Sequence, residues 1–282
     1  MTARFVKWGV IMKKITSRTN PRLKYARTLH RSRQRKKEGK FLVEGVRLLE
    51  EAVESENSIE TIFFTKRLLT KARGQNLVKE CRRRGSECLL VPEGVLTSLA
   101  DTDSPQGIIG IAPIPLWERN DLLTGPGLLL LVDRVRDPGN LGTMLRTAEA
   151  AGSAGAFLSV GTVDPYNAKA LRASMGSIFR FPLQLDCNLP ALVAELKKIG
   201  YRTLAADADG EVTYWEADFS SPGALIVGNE AWGVARELLD LADARVKIPL
   251  SPGVESLNAA LAAGILLYEG VRRRFIAENY QG

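Results

Sequence analysis

Apolar residues fall along this chain in two alternating rhythms: short runs that read as strands, and stripes three or four residues apart that read as helices. From Asn20 the stretch NPRLKYARTLHRSRQRKKEGKF is entered through an Asn-Pro cap and sets Leu23, Ala26, Arg27 and His30 on successive turns, which predicts a helix. The strand FLVEG follows, then the helix VRLLEEAVES, the strand IETIFFT, the helix LLTKARGQNLVKECRRRG, the strand CLLVP, the helix EGVLTSLA and the strand GIIGIAP. This alternation predicts a small α/β domain over residues 13–113. IPLWERNDLLTGPG ends in turn formers and breakers, so residues 114–126 read as a linker.

Residues 127–282 are expected to form a second α/β domain. It opens on LLLLVD, the continuous apolar run of a parallel strand buried on both faces. GAFLSVG, the helix PYNAKALRASMGSIF, the strand FPLQLD, the helix LPALVAELKKIG, the strands RTLAAD and ALIVG, the helix ARELLDLA and the strand ARVKIPL continue the pattern into a long terminal helix. The sum is a doubly wound parallel sheet, with no internal repeat and no low-complexity segment. On the terminal helix Leu257, Leu261, Ile265 and Tyr268 make one face and Ala259, Ala262, Ala263 and Leu266 another. Both faces are expected to be packed, inside one subunit or across a dimer seam.

At 282 residues the chain exceeds the usual span of one domain, which agrees with two. The net charge of +7 and the pI near 9.4 point to an anionic partner. Its distribution narrows the partner: between Lys13 and Lys40 nearly every charge is Lys or Arg, with Glu38 the lone acid, so the partner meets the N-terminal domain. Met12 is followed at once by KKITSRTNPRLK, a natural beginning, and residues 1–12 are expected to be a leader with no fold of their own. Cys81, Cys88 and Cys187 are an odd number at spacings that match neither a zinc site nor a redox pair. A reducing cytoplasm and no metal are expected. MTARFVKWGVI is too short and interrupted to be a secretory signal, and no run approaches the ~18 apolar residues of a membrane span.

Three motifs carry candidate chemistry, each where a strand hands over to a loop or helix: NLGTMLRTAEAAG at 140–152, IVGNEAWGV at 226–234 and IPLSPGVESLNAALAAGILLYE at 248–269. Singly each has a plain reading. Asn140 suits a helix cap, Arg146 a surface ion pair, Gly228, Glu230 and Gly233 a tight turn, and Ser256 an N-cap. No GxGxxG follows a strand, which excludes a nicotinamide-dependent oxidoreductase.

In this order and register the three motifs resemble the signature of the SpoU/TrmH branch of the SPOUT RNA methyltransferases, which methylate a ribose 2′-hydroxyl with S-adenosylmethionine. The resemblance covers nearly everything from Lys13 onward, FLVEGVR and DSPQGIIGIA included. It implies that Asn140 orients the site, that Arg146 contacts the reacting ribose and its phosphate, and that Ser256 and Asn258 belong to the catalytic pocket. It assigns Gly228, Asn229, Ile248, Pro249 and Leu257 to the methyl donor and leaves Glu230 as a possible proton acceptor. Where the family usually carries Val and then Ser or Ala after the Asn, this chain has Ala259 and Ala260.

The resemblance further implies a deep trefoil knot, a homodimer, and an N-terminal domain related to a ribosomal-protein fold. In that domain Arg18, Arg22, Lys24, Arg27, Arg31, Lys36, Lys37 and Arg47 are the expected RNA phosphate contacts. The leading reading is therefore 2′-O-methylation of structured RNA, 23S-type ribosomal RNA ahead of transfer RNA. A non-catalytic RNA-binding or assembly protein is the competitor, against which the intact motif residues argue.

Overall fold

The computed structural model describes residues 2–7, 10–123, 125, 127–219 and 222–279, with the backbone alone for 2–7 and 10–12. Two compact units emerge: Met1–Pro115 with Tyr166–Phe179, and Leu116–Pro165 with Arg180–Gly282.

In the first unit the strands are β1 (Thr2–Lys7), β2 (Val10–Ile15), β3 (Lys40–Glu44), β4 (Thr61–Phe64), β5 (Glu87–Leu90) and β6 (Ile108–Pro113). They form one mixed sheet in the order β1-β2-β5-β4-β6-β3. Helices α1 (Pro21–Thr28), α2 (Ser32–Glu38), α3 (Val46–Glu54), α4 (Ala72–Arg83) and α5 (Glu93–Thr97) connect them. Leu23, Ala26 and Leu29 recur at helical spacing and enter a core with Phe63, Leu89, Ile109 and Ile111. Gly110 in β6 has no room for a side chain, since a Cβ would lie 2.6 Å from Leu49 Cδ2.

The single helix expected from Asn20 is two. α1 stops at Thr28, and Arg35, buried within α2, donates from Nη1 to the carbonyls of Leu29 (2.9 Å) and His30 (2.8 Å), groups that an unbroken helix would have satisfied itself. The expected unstructured leader is also revised: β1 pairs antiparallel with β2, and β2 continues the sheet beside β5. Phe, Val and Ile there favour an extended ribbon.

The second unit contains α6 (Arg119–Leu123), β7 (Leu129–Val132), α7 (Pro138–Ala150), β8 (Gly155–Ser159), β9 (Leu183–Cys187), α9 (Leu189–Lys198), β10 (Arg202–Ala206), β11 (Val212–Thr213), β12 (Gly223–Val227), α10 (Arg236–Leu241), β13 (Ala244–Lys247) and α11 (Ala259–Asn279). Between β8 and β9 lies α8 (Ala168–Ser174), which groups with the first unit. The seven strands run parallel in the order β11-β13-β10-β12-β7-β8-β9, as the doubly wound reading expects. β7, β8 and β12 are buried at every residue, in keeping with their unbroken apolar sequences.

Two boundaries move. The 114–126 stretch is not a plain linker: it carries α6, whose Leu122 is fully buried with Leu129, Phe157 and Leu192, while residues 124 and 126 lie outside the described ones. Nor is 127–282 one continuous domain. Tyr166–Phe179 belongs to the first unit, where Tyr166 and Phe179 stand 4.9 and 6.0 Å from Phe41, ring centre to ring centre. An apolar helix has no signal in its own sequence that says which core it will join.

Candidate active site

β7 and β12 are neighbours in the sheet, although 95 residues separate their register partners, Val132 and Val227 among them, and the order of strands reverses between them. Loops leaving adjacent parallel strands at such a reversal part to form a crevice. Here the loops are laced together. Asp133, buried at the end of β7, accepts from the Ala235 N–H (2.9 Å), and Asn229 Nδ2 donates to the Arg134 carbonyl (2.8 Å).

The 228–234 loop is folded by its own residues. Asn229 and Gly233 exchange main-chain hydrogen bonds of 2.9 Å, and Asn229 Oδ1 accepts from the Ala231 (2.8 Å) and Trp232 (3.3 Å) N–H groups. Gly228 must be glycine, because a Cβ would lie 2.1 Å from the Gly233 carbonyl carbon and from Val234 N.

Glu230 ties this loop to the start of α7. Its carboxylate accepts from the N–H groups of Arg136 (3.2 Å) and Asp137 (3.1 Å) and from Asn140 Nδ2 (3.1 Å). Burial pushes this carboxyl up, but the hydrogen bonds from Asn140 and from the main chain outweigh it and hold it below the usual carboxylate value. Both carboxylate oxygens are thus engaged in joining the loop to the start of α7.

Asn140 carries the connection onward: its Oδ1 accepts from Asn258 Nδ2 at 2.9 Å. Asn258 Oδ1 in turn accepts from the N–H groups of Ala260 (2.9 Å) and Leu261 (3.2 Å), so Asn258, and not Ser256, caps α11. The cap of α7 is likewise Asp137, accepting from the Asn140 N–H at 2.8 Å, which leaves the Asn140 side chain free for its bridge.

A cavity of about 410 Å³ lies over the ends of β10, β12 and β13, within the roughly 300–1,000 Å³ of small-molecule sites. Gly228, Asn229, Glu230, Ile248, Ser256 and Leu257 line it, whereas Pro249 is exposed and is not part of the wall. Ala206, Asp207, Ala208, Trp232, Leu250, Ala262 and Leu266 are also part of its wall. The sequence reading missed these. The signal lay in RTLAAD, a strand whose carboxyl end must share the crevice of its neighbour β12. An apolar floor from Val227, Val246 and Leu266, main-chain edges and nearby carboxylates suit a nucleoside that carries a cationic sulfonium.

Arg146 lies on the exposed side of α7 and outside the cavity wall, and among the described residues its guanidinium has no hydrogen-bond or ion-pair partner. On the N-terminal face, Arg22 is bound to Glu87 by Nε (2.7 Å) and Nη2 (2.8 Å), and Arg27 to the Arg18 carbonyl and Ser98 Oγ. Arg18, Lys24, Arg31, Lys36, Lys37 and Arg47 are exposed.

The SpoU rRNA Methylase family matches residues 127–268, and an MRM3-like substrate binding domain matches residues 20–110. Over 257 residues, 91% of this chain and 98% of the other, the chain is 37% identical to the 23S rRNA (guanosine(2553)-2'-O)-methyltransferase RlmP of Bacillus subtilis. An rRNA methyltransferase of Sinorhizobium meliloti, solved with AdoMet bound, superposes with a TM-score of 0.83 at 33% identity over 93% of this chain and 98% of that one. The SpoU methyltransferase AviRb of Streptomyces viridochromogenes, also with AdoMet, gives 0.83 at 28% identity over 91% and 98%.

The chain belongs to the SpoU rRNA methylase family. It is an RNA methyltransferase, and its methyl donor is S-adenosylmethionine.

Proposed function

We propose that this enzyme methylates a ribose 2′-hydroxyl of structured RNA, with 23S-type ribosomal RNA as its substrate. The observation that carries the reading is the chain of hydrogen bonds from Glu230 through Asn140 to Asn258, which locks three separate motifs beside one cavity. When bound, the donor supplies an electrophilic methyl group on a sulfonium. Gly228, Asn229, Ile248 and Leu257 hold it, and Asn140, Ser256 and Asn258 shape the adjoining pocket. Arg146 presents an unpaired planar fork to the target phosphate and stabilises the charge developing on the ribose oxygen. A guanidinium holds its proton too tightly to serve as a base. With Glu230 occupied, the hydroxyl proton leaves late, to water.

The exposed cations Arg18, Lys24, Arg31, Lys36, Lys37 and Arg47 supply RNA affinity in this reading, while Arg22 and Arg27 serve the fold. Leu261, Ile265 and Tyr268 stand exposed on α11 and form the seam of a homodimer, and the C-terminal strands and α11 carry the trefoil knot. Among the described residues no group of three or more His, Cys, Asp or Glu could hold a metal ion, and no helix is long and apolar enough to cross a membrane. Burial raises the thiols of Cys81 and Cys88, to about 12 and about 11, which keeps them protonated and unreactive.

Mapping ribose methylation in RNA from cells with and without the gene tests the reading. One 2′-O-methyl absent from 23S-type RNA of the deletion strain and restored in vitro by the purified enzyme is expected. Loss from a transfer RNA, or from no RNA, would overturn it.

A further inference from the structure

Trp232 is 70% exposed at the mouth of the cavity that it helps to line. The loop does not need an aromatic side chain there, since Asn229, Gly233 and the absence of a Cβ at Gly228 already fix its path. The guanidinium of Arg136 lies over the indole, 5.4 Å from the ring centre. Among the described residues that guanidinium makes no hydrogen bond or ion pair, the Glu230 contact being made by the Arg136 main-chain N–H. One aromatic face thus carries a cation with five unused donors, beside the cavity assigned to the methyl donor.

A ribose can approach a recessed methyl group only if its nucleotide is drawn out of an RNA helix, and drawing it out breaks the stack that its base made with its neighbours. An exposed indole restores such a stack without regard to base identity, and a guanidinium held over the ring strengthens the platform through cation–π attraction. We propose that Trp232 and Arg136 form a nucleobase platform: the indole stacks on the base of the target nucleotide, and Arg136 takes a neighbouring phosphate. This rests on the ribose methyltransferase reading above.

The test uses 23S rRNA from cells lacking the gene. Trp232→Ala is expected to raise the KM for RNA by about tenfold or more, the scale of a single base stack, with a smaller change in kcat. Trp232→Phe recovers most of the loss, and donor affinity by calorimetry, melting and sedimentation stay as in the wild type. Arg136→Ala lowers the salt slope of RNA binding by about 0.7, equivalent to one phosphate. An unchanged KM in Trp232→Ala, weakened donor binding without RNA, or altered self-association would each overturn the platform. RNA affinity is read directly by filter binding. A wild-type enzyme that bound RNA through Trp232 but left every ribose unmethylated would therefore overturn the function and keep the platform.

Discussion

The side-chain amide of Asn258 donates to that of Asn140 across 2.9 Å, joining residues 118 apart in the chain, and the same Asn258 caps α11 through its oxygen. One residue thus sets where α11 begins and where Asn140 points. Asn258→Ala removes both roles and is expected to cost about 1 kcal/mol, seen as a melting midpoint lowered by roughly 2–4 °C. Asn258→Asp keeps the cap but sets a carboxylate against Asn140 Oδ1, whose amide nitrogen is committed to Glu230. Methyl transfer is expected to fall in Asn258→Asp with the midpoint nearly unchanged; equal losses in both measurements would reduce Asn258 to a cap.

Arg146 has no partner to lose within the described residues, so Arg146→Ala is expected to melt and sediment like the wild type and to bind the donor normally. Its single-turnover rate should drop by about 10²–10³, the usual effect of deleting one preorganised electrostatic interaction. Arg146→Lys should recover little, because an ammonium lacks the planar fork.

For Glu230 the sign follows from its depressed pKa. A carboxyl titrating lower in the folded protein than in the unfolded chain contributes its full stabilisation above the unfolded value, about 4.3, and loses it as pH falls through the folded value. Donor affinity that depends on this carboxylate is expected to be flat near neutrality and to decline only at pH below the ordinary carboxylate range. Calorimetry across pH should show Glu230→Gln weaker at neutrality and without that acid limb.

On the N-terminal face, Lys24, Arg31 and Lys37 have no partner within the described residues, whereas Arg22 is held by Glu87. Reversing the first three to Glu should weaken RNA binding and reduce the slope of log K against log salt by about 0.7–0.9 for each phosphate no longer neutralised. Arg22→Ala should leave that slope where it was. Filter binding over a salt series separates the two.

The parallel sheet was legible because LLLLV and GALIV are apolar throughout, and the first two motifs because each adjoins such a strand, while the third follows the mixed strand ARVK. What connects the motifs was not legible. Asn140, Glu230 and Asn258 each have an ordinary local use as a cap or turn residue, and only folding shows that Asp137 caps α7 and so releases Asn140 to bridge. The ownership of Tyr166–Phe179 escaped for a similar reason: its burial pattern names an apolar face, while the partner, Phe41, lies far back in the chain.

That ownership bears on synthesis. Domains generally fold as they leave the ribosome, N-terminal first. Here the first unit cannot close around Phe41 when Pro115 emerges; it must wait for Phe179, by which time β7, α7 and β8 have also been made. The unit translated first is therefore completed while its neighbour is already under way. A gene fragment encoding 127–282 alone would leave Tyr166 and Phe179 without the aromatic ring that covers them.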